Sequence, residues 1–272
     1  MRNYTMTVGQ AVRNFLSQTA YPMFCEILAI AGRLLLLSRA KDMTSQTAIR
    51  SCLVLAPHPD DETLGCGATI MQKLAAGTPV HVVIATDGRY WPPNTNLSAD
   101  SLAQIREDEA RRACSILGLP RENITFLRFE DGRLADNRRL LFERLADLFN
   151  KTNPEEIFIP SMIDTHPDHR ILSELGRELG RTRCDRPPLI YEYPIWFWDP
   201  RILRIGDVLK LRIRVVRMGE FRMRKREAIA AYRSQVTNSF GEAGWTARQG
   251  FLRQFLGPEE LFFEHQHSFV QR

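Results

Sequence analysis

Short, continuous apolar runs alternate along the chain with stretches whose apolar residues recur at helical spacing. Ser51 to Pro57, SCLVLAP, is a run of the first kind, too short for a helix and suited to a strand buried on both faces. Thr63 to Ala76 follows with helical spacing and stops at Gly77. Val80 to Thr86 is the next strand, and a polar loop holding Pro92 and Pro93 separates it from a helix over Ser101 to Leu117. Gly118 suits a left-handed cap to that helix. Ile124 to Leu127, Glu156 to Pro160 and Leu189 to Tyr193 predict further strands; Arg138 to Asn150 and Arg170 to Leu179 predict helices. This order predicts an α/β domain over residues 48–272, built on a mostly parallel sheet with helices on both faces. In such sheets ligands bind at the carboxyl ends of the strands, near the point where strand order reverses.

Residues 1–47 predict a helical N-terminal extension. Residues 19–38 within it are strongly apolar, but Glu26 and Arg33 interrupt the run and both are costly at a bilayer centre. A signal peptide would need an uninterrupted apolar stretch behind a basic start. A helix packed on the domain, a helix lying at a membrane interface and a short anchor are the three readings, the first two favoured. Leu34 to Leu37, followed by Arg39 and Lys41, leaves contact with an anionic lipid surface open. The 272 residues are 44% hydrophobic, enough for one sizeable core, and the net charge of +5 hints at acidic partners without defining one. Five cysteines, an odd number with no CxxC pair, read as buried thiols in a reducing compartment, so the expected location is cytoplasmic or peripheral at a membrane.

Two clusters carry candidate chemistry. His58-Pro59-Asp60-Asp61-Glu62 stands between the first buried strand and a helix. A helix start accounts for one acidic residue there, not for three beside an imidazole. Asp164-Thr165-His166-Pro167-Asp168-His169 again follows a strand and precedes a helix. Two such clusters at equivalent strand ends can converge at one mouth of a parallel sheet. Zinc hydrolases take three nitrogen and carboxylate ligands and leave one position open, and His58, Asp61 and His169 offer that set. Asp60 can then serve as general base, His166 can stabilise an oxyanion and protonate the leaving amine, and Glu62 and Asp168 can orient the ligands.

With HPDDE after one strand and HPDH after a later one, the chain resembles the LmbE-like or PIG-L family of zinc de-N-acetylases from about Cys52 to Tyr193. The resemblance implies a Rossmann-like fold, Zn2+ as cofactor and removal of an N-acetyl group from an N-acetylglucosamine-type sugar in a glycoconjugate or glycolipid. It implies the same roles for His58, Asp60, Asp61, His166 and His169. It adds Arg106, in RxxE, and Asp131, in EDGRL, as substrate contacts. AYRSQ, Ala231 to Gln235, resembles a pattern in which His is more usual at Tyr232, and in some members a tyrosine stands at the position of Asp164. Hydrolysis of a non-sugar amide or ester, and a non-catalytic sugar-binding module, are the alternatives; Asp60 argues against the second, because a binder has no need of a base.

Other features weigh less. Asp87-Gly88 either lines the same mouth or forms a simple turn. Tyr90, Trp91, Trp196 and Trp198 are aromatic candidates for a sugar face or an interface. His81 and Cys66 read as structural, and Glu264, His265 and His267 as an incidental tail cluster. Arg201 to Arg226 is rich in basic residues, and LKLRIRVVR within it predicts a strand with one basic face. Such a strand is either a charged sheet edge or a surface for phosphate or anionic lipid. Nucleic acid is not expected, since no binding motif accompanies the charge.

Overall fold

A computed structural model describes residues 31–91, 95–183, 185–196, 210–237 and 249–265. Cys25, Cys184, Trp198, His267, the apolar segment before residue 31 and the basic residues at 201–209 lie outside these.

Cys52–Ala56 (β2), Val80–Thr86 (β3), Ile124–Phe129 (β4), Glu156–Pro160 (β5) and Leu189–Tyr193 (β6) form the parallel centre of one eight-stranded sheet. With Lys41–Asp42 (β1), Ile213–Arg217 (β7) and Glu259–Glu264 (β8), the strand order is β1-β7-β8-β6-β5-β2-β3-β4. Only β8 runs antiparallel to its neighbours, so the sheet is mostly parallel, as expected. The order turns back between β2 and β5, which pair in parallel from Cys52 opposite Glu156 to Val54 opposite Phe158. That is the switch point at which α/β sheets open a crevice, and both His/Asp clusters leave the sheet there.

The strands alternate their side chains between two apolar layers. Cys52, Val54, Ala56 and Phe158 face the layer covered by Asp61–Ala75 (α3), Ala99–Leu117 (α4) and Phe221–Ala230 (α7). Leu53, Leu55, Ile157 and Ile159 face Arg138–Thr152 (α5) and Pro167–Thr182 (α6). Burial on both sides explains why β2 and β5 read as unbroken apolar runs. Ser98 caps α4, accepting the Ser101 N–H at 3.2 Å, and Gly118 ends it at φ 83°.

Residues 31–39 are helical (α1), β1 pairs with β7, and Thr44–Ala48 is a short helix (α2). Leu36 and Met43 enter the core, while Leu34 is 63% exposed. Buried Lys73 of α3 joins these parts, its Nζ donating to Thr47 O, Arg50 O and Glu156 Oε2. No helix among the described residues is long and apolar enough to cross a membrane. The basic strand is β7, which lies inside the sheet between β1 and β8. Arg214 pairs with Glu264 and Arg217 with Asp42, so much of its charge is met by carboxylates of the same sheet.

Candidate active site

The first cluster is shaped by one backbone turn. After β2 the chain passes through Pro57 to Asp60, and α3 begins at Asp61. Asp60 makes the turn with φ +131°, a region that L side chains rarely adopt and that is held only when the surroundings over-determine it. Its N–H donates to Glu62 Oε2 at 3.1 Å, and its carbonyl accepts from Thr63 and Leu64 at 3.1 and 2.9 Å. The second cluster is set by a helix cap. His166 is the N-cap of α6, its Nδ1 accepting the Asp168 N–H at 3.3 Å, with Pro167 in the first turn, where its missing N–H costs nothing.

The two turns bring His58 Nδ1, Asp61 Oδ2 and His169 Nε2 together. Nδ1 and Oδ2 are 3.2 Å apart, Nε2 and Oδ2 3.3 Å, and the two nitrogens 3.3 Å. Three donors of a tetrahedral zinc site with bonds of about 2.0–2.1 Å stand about 3.3–3.4 Å apart, so this donor set fits the metal. The other nitrogen of each ring has a carboxylate behind it. His169 Nδ1 is 3.0 Å from Asp164 Oδ2; His58 Nε2 is 3.1 Å from Asp131 Oδ1 and 3.4 Å from Asp168 Oδ2. Two other groupings could also hold an ion, His58 with His166 and His169, and His58 with Asp131 and Asp168. The triad of His58, Asp61 and His169 is a candidate zinc site that would leave these carboxylates to fix the rings.

Electrostatics agree with a cation position. Burial disfavours a charged His169, but Asp61 and Asp164 outweigh it and push its pKa up to about 9. Burial likewise opposes charge on His58, and Asp131, Asp168 and Asp61 raise it well above its ordinary value. Asp61 is held well below the usual carboxylate range by the two histidines against its burial. His166 behaves oppositely: burial, then His58 and His169, lower it to about 4, leaving a neutral ring. With Nδ1 accepting from the backbone, that ring carries its proton on Nε2.

Asp60 is 3% exposed and lies beside the triad. Burial pushes its carboxyl well above the ordinary range, with Arg106 opposing and Asp61 adding to the rise. Arg106, 2% exposed, donates from Nη2 to Asp60 Oδ2 at 2.8 Å and to Pro59 O at 2.7 Å, and from Nη1 to Gly88 O at 3.0 Å. Asp60, Arg106, Asp131 and His166 line one cleft, walled further by Trp91 and Trp196.

Every residue singled out in the two clusters therefore lies at or directly behind one cleft. Glu62 contacts the backbone of Asp60 rather than a ligand histidine. Asp168, besides facing His58, accepts the N–H groups of Gly132 and Leu134 and so fixes the loop that carries Asp131. Sequence reasoning did not give Asp164 its place behind His169. Its position in the same cluster was the available signal, and its acceptance of the Ile195 and Trp196 N–H groups has no local trace. Gln235 also lines the cleft, at the end of the AYRSQ stretch. Asp87 holds Arg89 rather than lining the mouth. His81 bonds Thr125 and Cys66 is in the core, both structural.

Comparison with known proteins places this architecture. Residues 53–179 match the PIG-L family, described as GlcNAc-PI de-N-acetylase. The chain is 29% identical over 194 residues to diacetylchitobiose deacetylase of Thermococcus kodakarensis, covering 63% of this chain and 70% of that protein. It is 37% identical over 198 residues to 1D-myo-inositol 2-acetamido-2-deoxy-alpha-D-glucopyranoside deacetylase of Rhodococcus opacus, covering 58% of this chain and 67% of that one. The fold matches the solved structure of N,N'-diacetylchitobiose deacetylase from Pyrococcus horikoshii, with a TM-score of 0.66 at 23% identity over 99% of both chains. The matched residues include both His/Asp clusters and the strands that present them, and the chain belongs to the PIG-L family of de-N-acetylases.

Proposed function

We propose that this enzyme is a zinc-dependent de-N-acetylase that hydrolyses the acetamido group of an N-acetylglucosamine-type sugar in a glycoconjugate or glycolipid. The observation that carries the reading is the convergence of His58, Asp61 and His169 within 3.3 Å of one another, beside the buried Asp60 and open to the cleft. The substrates named for the relatives, diacetylchitobiose and an inositol-linked acetamido-glucoside, support the choice of sugar.

His58 Nδ1, Asp61 Oδ2 and His169 Nε2 would hold the ion. Zinc there would polarise the amide carbonyl and make the attacking water more acidic. Asp60 is the general base. Arg106 holds its Oδ2, so the carboxylate cannot swing away and its second oxygen is left to take the water's proton. The water oxygen bonds to the acyl carbon, and the developing oxyanion accepts the Nε2–H of His166. The C–N bond then breaks, the proton held by Asp60, rather than one from the neutral His166, passes to the departing nitrogen, and acetate and a free amine result. Trp91 and Trp196 offer aromatic faces to the sugar, and Arg106 and Asp131 are charged groups of the same cleft that could meet its hydroxyls.

Acetate release from a panel of compounds tests this reading. N-acetylglucosamine linked to inositol or to a second sugar, N-acetyl amino acids and acetate esters are offered to zinc-loaded protein. Turnover confined to the sugars is expected. Turnover confined to the other classes, or none on any, would contradict it.

A further inference from the structure

Asp60 is held from two directions, and one of them begins at the far end of the chain. Glu62, which accepts the Asp60 N–H, is fully buried, and among the described residues no cation pairs with it. A buried carboxylate without a counter-ion is costly unless its hydrogen bonds are complete. Here Oε2 takes the Asp60 N–H, while Oε1 takes the hydroxyls of Thr63 and Tyr232. Thr63 is the next residue in the same helical turn, so it fixes nothing relative to the rest of the fold. Tyr232, 170 positions away and 1% exposed, is the long-range hydroxyl donor; the Cys114 thiol of α4 stands farther off, 4.0 Å from the same oxygen. A phenylalanine would fill the same core space, and the hydroxyl has Glu62 as its partner.

The residues after Tyr232 complete the frame. Ser234 donates from its N–H and hydroxyl to the Glu109 carboxylate at 2.9 and 2.6 Å, and Gln235 Nε2 donates to Trp91 O at 3.1 Å. Glu109 lies three residues after Arg106 on α4, on the same helical face. The segment 232–235 therefore secures both the helix that grips the Asp60 carboxylate and the carboxylate that grips the Asp60 backbone. We propose that Tyr232 is a positioning residue for the reaction: its hydroxyl keeps Glu62 where it accepts the Asp60 N–H, and so maintains the positive-φ backbone that aims Asp60 into the cleft. This rests on Asp60 being the base.

Tyr232→Phe tests it in zinc-loaded protein by three readouts: steady-state kinetics on a sugar that the wild type turns over, zinc content, and hydrogen exchange at the Asp60 amide. The expected result is a kcat about tenfold to a hundredfold lower, the cost of a misaimed group, with KM and zinc content unchanged and faster exchange at Asp60. Tyr232→His retains a donor and restores most of kcat. Wild-type exchange at Asp60 in the Tyr232→Phe variant overturns the proposal whatever its activity, as does a His variant no better than the Phe one. Loss of zinc, or of cooperative melting, in parallel with kcat assigns Tyr232 to structure alone. If the wild type deacetylates no sugar, the functional reading fails separately, and the exchange measurement still decides on Tyr232.

Discussion

His169, a proposed zinc ligand, shows how much of such a site lies behind the ligand itself. One ring nitrogen faces the donor triad, and the other is fixed by Asp164, whose two oxygens also take the N–H groups of Ile195 and Trp196. A carboxylate can accept from all three; an amide would turn an NH2 toward one of them. Asp164→Asn should therefore weaken zinc binding about 10- to 100-fold, the usual cost of losing such a partner, as read by competition with a chelator. Wild-type affinity would mean that Asp164 serves only the loop of Ile195 and Trp196. Arg106 carries the same lesson. Family resemblance gives it to the substrate, and it does line the cleft, yet its guanidinium is largely taken by Pro59, Asp60 and Gly88.

At the scale of elements, the site depends on α3 starting close behind β2. The start is tight because Gly65 packs on the Tyr193 ring of β6: a Cβ there would stand 2.4 Å from Tyr193 Cδ2. Tyr193 cannot easily retreat, since it is buried and its hydroxyl donates to Leu55 O of β2 at 2.7 Å. Gly65→Ala should cost about 1–3 kcal/mol of stability in urea unfolding through overpacking, and displace Asp60 and Asp61 with the helix. A stable, fully active variant would contradict this packing. The central strands were legible in the sequence because β2 and β5, buried on both faces, leave continuous apolar runs. The two clusters were legible because each sits between such a run and a helix. β1 was not, being two charged residues, Lys41 and Asp42, whose strand character comes from pairing with Arg214 and Val215 of β7. Neither was the pairing of β8 with β6 and β7, nor the Tyr232–Glu62 contact, because no local pattern marks partners so distant in sequence.

Over the whole molecule, the family match ends at residue 179, but the cleft does not. Ile195, Trp196 and Gln235 line it from beyond that point. This later part is tied to α3 by a buried pair: Lys225 of α7 donates to Glu260 of β8 at 2.7 Å and to Leu64 O at 2.6 Å, while Glu260 accepts the Ala68 and Thr69 N–H groups. Lys225→Met leaves that carboxylate buried without its cation and should lower unfolding free energy by about 3–5 kcal/mol. A change within about 1 kcal/mol would mean the pair adds little beyond its own desolvation. A metal triad and a separate base are proposed to share this cleft. The most direct test is Asp60→Asn, assayed together for zinc content and acetate release from N-acetylated glucosamine conjugates. Wild-type zinc content with turnover almost abolished is expected; a variant that keeps its turnover, or loses its zinc, would rule out Asp60 as a base separate from the metal ligands.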